Sequence, residues 1–282
     1  MEDLTTEVVR RLAATPDPRL REVMQALVRH LHAFAREVSL TEEEWLAGIR
    51  FLTATGQMCD DKRQEFILLS DTLGLSMLVD EINHEAGGAV TESTVLGPFY
   101  VADAPFREYG DSIVLKDDGE PAVVSGVVRG TDGKPIPGAV LDVWQTASNR
   151  LYDVQDPDQP PFNLRGRFRT RDDGSYRFVT VRPASYPVPD DGPVGKLLRA
   201  TGRHPWRAAH IHAVVSADGY QPVTTHIFDA DSDYLDSDTV FGVKDSLIRP
   251  FVRHDDPDEA ARLGVTAPYL TVENDFVLSP LP

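Results

Sequence analysis

The sequence predicts an α+β chain, helical over residues 1–90 and a mostly antiparallel β-sandwich over residues 91–282. Apolar residues recur at three- and four-residue intervals as far as about His84, the mark of amphipathic helices. From Val95 onward short β-rich runs alternate with Gly, Pro and Asp turns. Deep in that second part lies Arg203 to His212, R-H-P-W-R-A-A-H-I-H, whose last three residues read as the start of a strand.

The first long helix starts at Pro18, with Leu20, Val23, Met24, Leu27, Val28, Leu31, Phe34 and Ala35 on one stripe. His30 and His32 fall on different faces of it and read as ordinary helix residues. Thr41 and Glu44 form a T-x-x-E capping box opening a second helix, with Trp45, Ile49, Phe51 and Leu52 as its apolar set. A third helical stretch carries Phe66, Leu69, Leu73, Leu75, Met77 and Leu78. So much apolar surface on so few helices requires a subunit interface or a covering role over the later domain. The pattern changes after Ala86-Gly87-Gly88. Residues 122–128 and 139–144 read as strands around the turn 131–135, and 165–171 with 175–181 as a hairpin around D-D-G. Residues 185–198 read as an irregular Pro- and Gly-rich loop, and 268–278 as a closing strand.

The net charge of −17 excludes nucleic acid or an anionic membrane surface as the main partner. No apolar run approaches the roughly 20 residues needed to span a bilayer. The start, M-E-D-L-T-T-E, lacks the features of a signal peptide, so a cytoplasmic protein is expected. Cys59 stands alone, which excludes an intrachain disulfide and a cysteine-rich metal site.

His210 and His212 sit at i and i+2, a spacing that projects both imidazoles from one face of a strand. Two neutral imidazoles on a rigid strand are a good start on a metal site. Tyr152, in N-R-L-Y-D, and Tyr186, in P-A-S-Y-P, lie in loops that could join them. A tyrosine ligates a metal only when a strong Lewis acid replaces its proton, because its free pKa is about 10. Ferric iron, hard and trivalent, suits phenolate donors; a structural zinc usually takes Cys or His.

The two tyrosines, the R-x-x-H-x-H run at 207–212 and the G-P-F-Y segment at 97–100 resemble the intradiol ring-cleaving dioxygenases. This is the catechol 1,2-dioxygenase and hydroxyquinol 1,2-dioxygenase family, and the likeness runs from about residue 20 to the C-terminus. The resemblance implies a homodimer through the N-terminal helices, with a phospholipid at the interface as in relatives. It implies one non-haem Fe(III) per subunit, held by Tyr152, Tyr186, His210 and His212. Tyr186 would be the catalytic ligand that leaves when substrate binds, and Arg207 would stabilise ring anion character beside it. His226, expected as a third catalytic residue, falls where catechol-cleaving relatives commonly carry Gln, and would hydrogen-bond near the open coordination position.

The resemblance also places Leu68, Asp71, Val95, Leu96, Gly97 and Arg207 around the substrate. Leu68 and Asp71 match positions lining the ring in hydroxyquinol enzymes. A carboxylate there can accept a hydrogen bond from a third ring hydroxyl, which catechol lacks. The run 233–238 to 242–245 also looks like hydroxyquinol enzymes, whereas Tyr100 is common in catechol enzymes. The expected reaction is cleavage of benzene-1,2,4-triol by O2 to 3-hydroxy-cis,cis-muconate, or its tautomer maleylacetate. Catechol or a chlorocatechol is the alternative substrate. A non-enzymatic β-sandwich binding module stands behind both, but such a module has no need of the Tyr, Tyr, His, His set.

Overall fold

The capping box forms as the sequence requires: Thr41 N–H donates to Glu44 Oε2 at 2.9 Å, and Glu44 N–H to Thr41 Oγ1 at 3.2 Å. It opens the third of three helices, α1 (Leu4–Leu12), α2 (Pro18–Glu37) and α3 (Glu42–Gln57). The computed structural model describes residues 3–60, 63–84 and 90–281, and the chain forms two compact units, Met1–Gln57 and Met58–Pro282. The change of pattern at Ala86-Gly87-Gly88 lies outside the described residues. In the first unit Asp17 caps α2 by accepting from the Arg19 and Leu20 amides, with Pro18 at the first helical position. Leu20, Leu27, Leu31 and Phe34 on α2 are about half exposed. His30 is exposed, and His32 Nδ1 lies 2.9 Å from Thr5 Oγ1, tying α2 to α1. Among the described residues, no helix is long and apolar enough to cross a membrane.

The second unit opens with α4 (Glu65–Thr72) and α5 (Leu75–Asn83). The single third stretch expected from the sequence is thus two helices, because Gly74 adopts φ +74°, a left-handed conformation that ends α4. The strands that follow are β1 (Pro121–Gly130), β2 (Val140–Trp144), β3 (Arg165–Arg169), β4 (Ser175–Val181), β5 (Tyr186–Pro187) and β6 (Trp206–Arg207). After them come β7 (His210–Ser216), β8 (Val223–Asp229), β9 (Ile248–Arg249), β10 (Val252–His254), β11 (Tyr269–Glu273) and β12 (Phe276–Leu278). Helix α6 (Pro193–Ala200) separates β5 from β6, and α7 (Pro257–Leu263) precedes β11.

One sheet is built on β1, which pairs antiparallel with β4 and parallel with both β11 and β12; β10 extends it beyond β11. The other runs β3-β2-β7-β8-β9, antiparallel except at β9. The two sheets enclose one core containing Val124, Leu141, Phe168, Phe178, Ile211, Val215, Ile227 and Leu270. The expected α+β sandwich is therefore present.

Three local expectations are corrected. The segments around D-D-G are not a hairpin: β3 joins β2 and β4 joins β1, so the turn carries the chain from one sheet to the other. Residues 185–198 hold β5 and the start of α6. Gly192, at the N-cap of α6, has no side chain to cap with, and the Val194 amide donates instead to the buried Glu65 of α4 at 3.1 Å. The closing strand is two, with the Asn274 amide bonded to Ser125 O at the break where β1 exchanges β11 for β12. Helix α7, capped by Asp256, was not expected.

Glu65 ties α4 to α6 and also pairs with Arg63 at 2.9 Å. Glu65→Ala is expected to cost about 1.5–3 kcal/mol, the range for hydrogen bonds to a charged group. Urea unfolding measures this; an unchanged midpoint would show that α4 is held by other contacts.

Candidate metal centre and active site

On β7 the alternation of a strand sends Ile211, Ala213 and Val215 into the core and His210 and His212 out of the opposite face. Neighbouring strands place partners around them by register: Trp144 of β2 and His226 of β8 both stand opposite His212, and Phe228 opposite His210. The Trp144 indole stacks on the His212 ring at 4.6 Å and 8°. That outer face is covered, and His210, His212 and His226 are each at most 2% exposed.

Two tyrosines complete the cluster. Tyr152 sits in the loop between β2 and β3, anchored by its neighbour Asp153, which accepts from Arg165 Nε at 2.7 Å and from the Phe162 amide at 2.9 Å. Both members of that ion pair are buried, and the Arg165 guanidinium lies 5.8 Å from the Tyr152 ring centre. Phe99 of the G-P-F-Y segment stacks on the same ring at 4.7 Å. Tyr186 is held on β5 by its ladder with Arg207 on β6. The Tyr152 hydroxyl lies 3.2 Å from that of Tyr186 and 3.1 Å from His212 Nε2, and His210 Nε2 lies 3.1 Å from His212 Nε2.

Four donor atoms so spaced match the edges of a coordination shell with bonds of about 2.0–2.2 Å. Their protonation fits as well. Burial pushes all three histidines well below their usual pKa, so they are neutral, and His210 Nδ1 lies 2.6 Å from Ala208 O. A carbonyl only accepts, so the proton is on Nδ1 and Nε2 presents a lone pair to the cluster. Burial, and then Tyr186, raise the Tyr152 phenol well above its ordinary pKa. Only a strongly polarising cation could take that proton near neutrality. The set could hold a metal ion.

Arg207 is the buried cation beside it. Its Nη1 lies 3.3 Å from the Tyr186 hydroxyl and 3.2 Å from His210 Nε2, and its Nε donates to Asp238 at 3.2 Å. Burial works against its charge, but Asp238, Tyr186 and Tyr152 outweigh it and raise the pKa. Asp238 also accepts from the Gly242 amide at 2.8 Å, so its carboxylate is fixed at both oxygens. The sequence reading missed Asp238, Trp144 and the Asp153–Arg165 pair. Asp238 stands in the noted run 233–238, but its partner is 31 residues away.

Of the expected pocket residues, Leu68 lines a cleft of about 620 Å³ together with Pro98, Phe99, Tyr100, Val154 and Pro189. Gly97, at φ +76°, packs on the edge of His212; an added Cβ would meet Cε1 at 3.4 Å. Asp71, on α4, is buried within the fields of Arg207 and Asp238. Desolvation raises its pKa, with a Ser76 hydrogen bond and Arg207 opposing. Val95 is half-buried and Leu96 exposed, in a segment fastened to β8 by the Thr94 amide on Thr224 O. Tyr100 donates to the buried Asp142 at 3.1 Å. His226, expected near an open coordination position, packs against the same cluster. Its Nε2 lies 2.7 Å from His212 Nδ1, the edge of that ring turned away from the cluster.

A family model described as "Dioxygenase" matches residues 95–280, and one described as "Catechol dioxygenase N terminus" matches residues 17–91. The chain belongs to the intradiol ring-cleavage dioxygenases. Hydroxyquinol 1,2-dioxygenase of Rhizobium sp. (strain MTP-10005) is 52% identical, over 96% of this chain and 93% of the relative. 6-Chlorohydroxyquinol 1,2-dioxygenase of Cupriavidus pinatubonensis is 51% identical, over 99% and 97%. The solved structure of hydroxyquinol 1,2-dioxygenase from Pseudomonas putida DLL-E4 superposes with a TM-score of 0.93 at 52% identity, covering 98% of this chain and 97% of that one.

Removing Asp238 would leave Arg207 buried and unpaired. Asp238→Ala is expected to lose about 3–5 kcal/mol of stability, as when one partner of a buried ion pair is deleted. A loss below about 1 kcal/mol in urea unfolding would mean that Arg207 finds another counter-charge.

Proposed function

We propose that the protein cleaves hydroxyquinol between its vicinal hydroxyls with O2, giving 3-hydroxy-cis,cis-muconate, using one ferric ion held by Tyr152, Tyr186, His210 and His212. The observation that carries the reading is the buried cluster of two phenols and two neutral imidazoles with Arg207 against it. The names of relatives at 51–52% identity support the substrate. Bound there, Fe(III) supplies a Lewis acid and a template for a catecholic ring.

The chain's own groups then have distinct tasks. Tyr186, as a phenolate, takes a proton from an incoming ring hydroxyl. Arg207, 3.3 Å from it, keeps a permanent positive charge beside that oxygen and stabilises anionic character on the ring. Tyr152 stays in place, gripped by Phe99 and by the loop that Arg165 and Asp153 fasten. Leu68 and Phe99 supply apolar surface in the cleft, which Arg63, Gln64 and Glu65 also line. In this proposal Val95, Leu96 and Gly97 form the wall against the ring and Asp71 accepts the third ring hydroxyl. In this proposal residues 1–90 form the homodimerisation region, which the half-exposed stripe on α2 supports, and residues 91–282 the catalytic domain, to whose pocket α4 lends Leu68 and Asp71. A phospholipid in that interface and a cytoplasmic location belong to the same proposal.

Oxygen uptake by iron-loaded protein, compared on hydroxyquinol and catechol, tests the substrate. Hydroxyquinol is expected to have the higher kcat/KM. Asp71→Ala should lower it about 10- to 100-fold, the range for a hydrogen bond to a charged acceptor, and spare catechol. Because the Asp71 pKa is raised, its protonated form persists to higher pH than for an ordinary carboxylate. Acidification should therefore raise KM for hydroxyquinol before it affects catechol. Equal losses on both substrates would make Asp71 structural.

A further inference from the structure

His226 takes no part in the steps above, yet it is one of the most enclosed polar residues in the chain, 1% exposed. The antiparallel register of β7 and β8 sets it directly opposite His212, with its Nε2 2.7 Å from His212 Nδ1. We propose that His226 is a positioning residue: it fixes the tautomer of His212 so that His212 Nε2 presents its lone pair to the metal. The inference rests on the ferric reading above.

One proton lies between the two rings, and it can belong to either. If His226 donated, His212 would carry its own proton on Nε2, pointed at the Tyr152 oxygen and at His210 Nε2, both 3.1 Å away. That tautomer cannot ligate. If His212 donates, Nε2 is bare and the donor set is complete. His210 meets the same requirement through a backbone carbonyl, Ala208 O at 2.6 Å. Among the described residues no carbonyl bonds His212 Nδ1, and His226 takes that place. Trp144, stacked at 8° to the His212 ring, fixes the ring plane, while His226 fixes which nitrogen carries the proton.

The arrangement has a second consequence. With Nε2 accepting, His226 must carry its proton on Nδ1, and that atom has no hydrogen-bond partner among the described residues. A buried donor without a protein partner adds no hydrogen-bond stability, and a leucine can replace the packing of the ring on Phe228 and His210. Metal affinity and fold stability therefore separate on substitution. Glutamine, which the resemblance expects at this position in catechol-cleaving relatives, offers an Oε1 that accepts from the same Nδ1–H.

The experiment compares the parent with His226→Leu and His226→Gln in three measurements. These are thermal unfolding of each apoprotein, ferric affinity from exchange with ferric nitrilotriacetate, and the visible phenolate-to-iron band. His226→Leu is expected to bind ferric iron about 10- to 100-fold more weakly, as when a group behind a metal-bound histidine is removed. Its apoprotein should still unfold within about 4 °C of the parent. His226→Gln should keep the parent's affinity and band. Parental affinity in His226→Leu overturns the proposal, as does parallel loss of apoprotein stability and affinity in both variants. A parent that takes up no iron from ferric nitrilotriacetate overturns the ferric reading itself, and the inference with it.

Discussion

The alternation of side chains along β7 is the constraint on which the site depends. Ile211, Ala213 and Val215 are buried in the sandwich core, and a shift of one residue would exchange them for His210, His212 and Val214. Burial of apolar area opposes that slip, so the position of the two imidazoles is set by the core. The same register delivers Trp144 and His226 to opposite sides of His212. Tyr152 comes from a loop fastened by the buried Asp153–Arg165 pair, and Tyr186 from the two-residue strand β5, fastened by its ladder with β6. Flexible segments thereby gain the precision of the strands they face.

Electrostatics narrows what such a site can hold. Burial keeps the histidines neutral and the Tyr152 phenol protonated, while Asp238 pairs with Arg207 Nε and leaves its Nη1 facing the cluster. A divalent ion with two phenolates would leave no net charge with which to draw in a ring anion. A trivalent ion leaves one positive charge, which a substrate dianion or hydroxide can meet. Protons must leave the phenols as the metal enters, so affinity should rise with pH. The buried Arg207 adds a charge that never titrates, close to where anionic character would develop.

Much of this was legible in the residues. The histidine pair at i and i+2 needs only strand geometry, and the T-x-x-E box and the α2 stripe need only helical period. What escaped is long-range. A D-D-G turn announces a reversal of the chain but not which sheet receives the next strand, so β3 and β4 read as a hairpin. Helix α6 is short and its cap comes from Glu65, 129 residues earlier, so Pro193 at its first position, without a capping side chain beside it, did not stand out from a Pro-rich loop. The Asp238–Arg207 pair and the contact of His226 with the back of His212 arise from loop closure and strand register. His226 could be numbered from the sequence, but its partner could not.

The central claim is that two phenolates and two imidazoles hold one ferric ion in this cluster. Resonance Raman spectroscopy of the iron-loaded protein, excited within its visible absorption, tests it most directly. Enhanced ring and C–O modes of coordinated tyrosinate are expected, from two distinguishable residues, with one iron per chain. Bound iron with no enhanced tyrosinate mode would contradict the account, because Tyr152 and Tyr186 would then lie outside the metal's coordination shell.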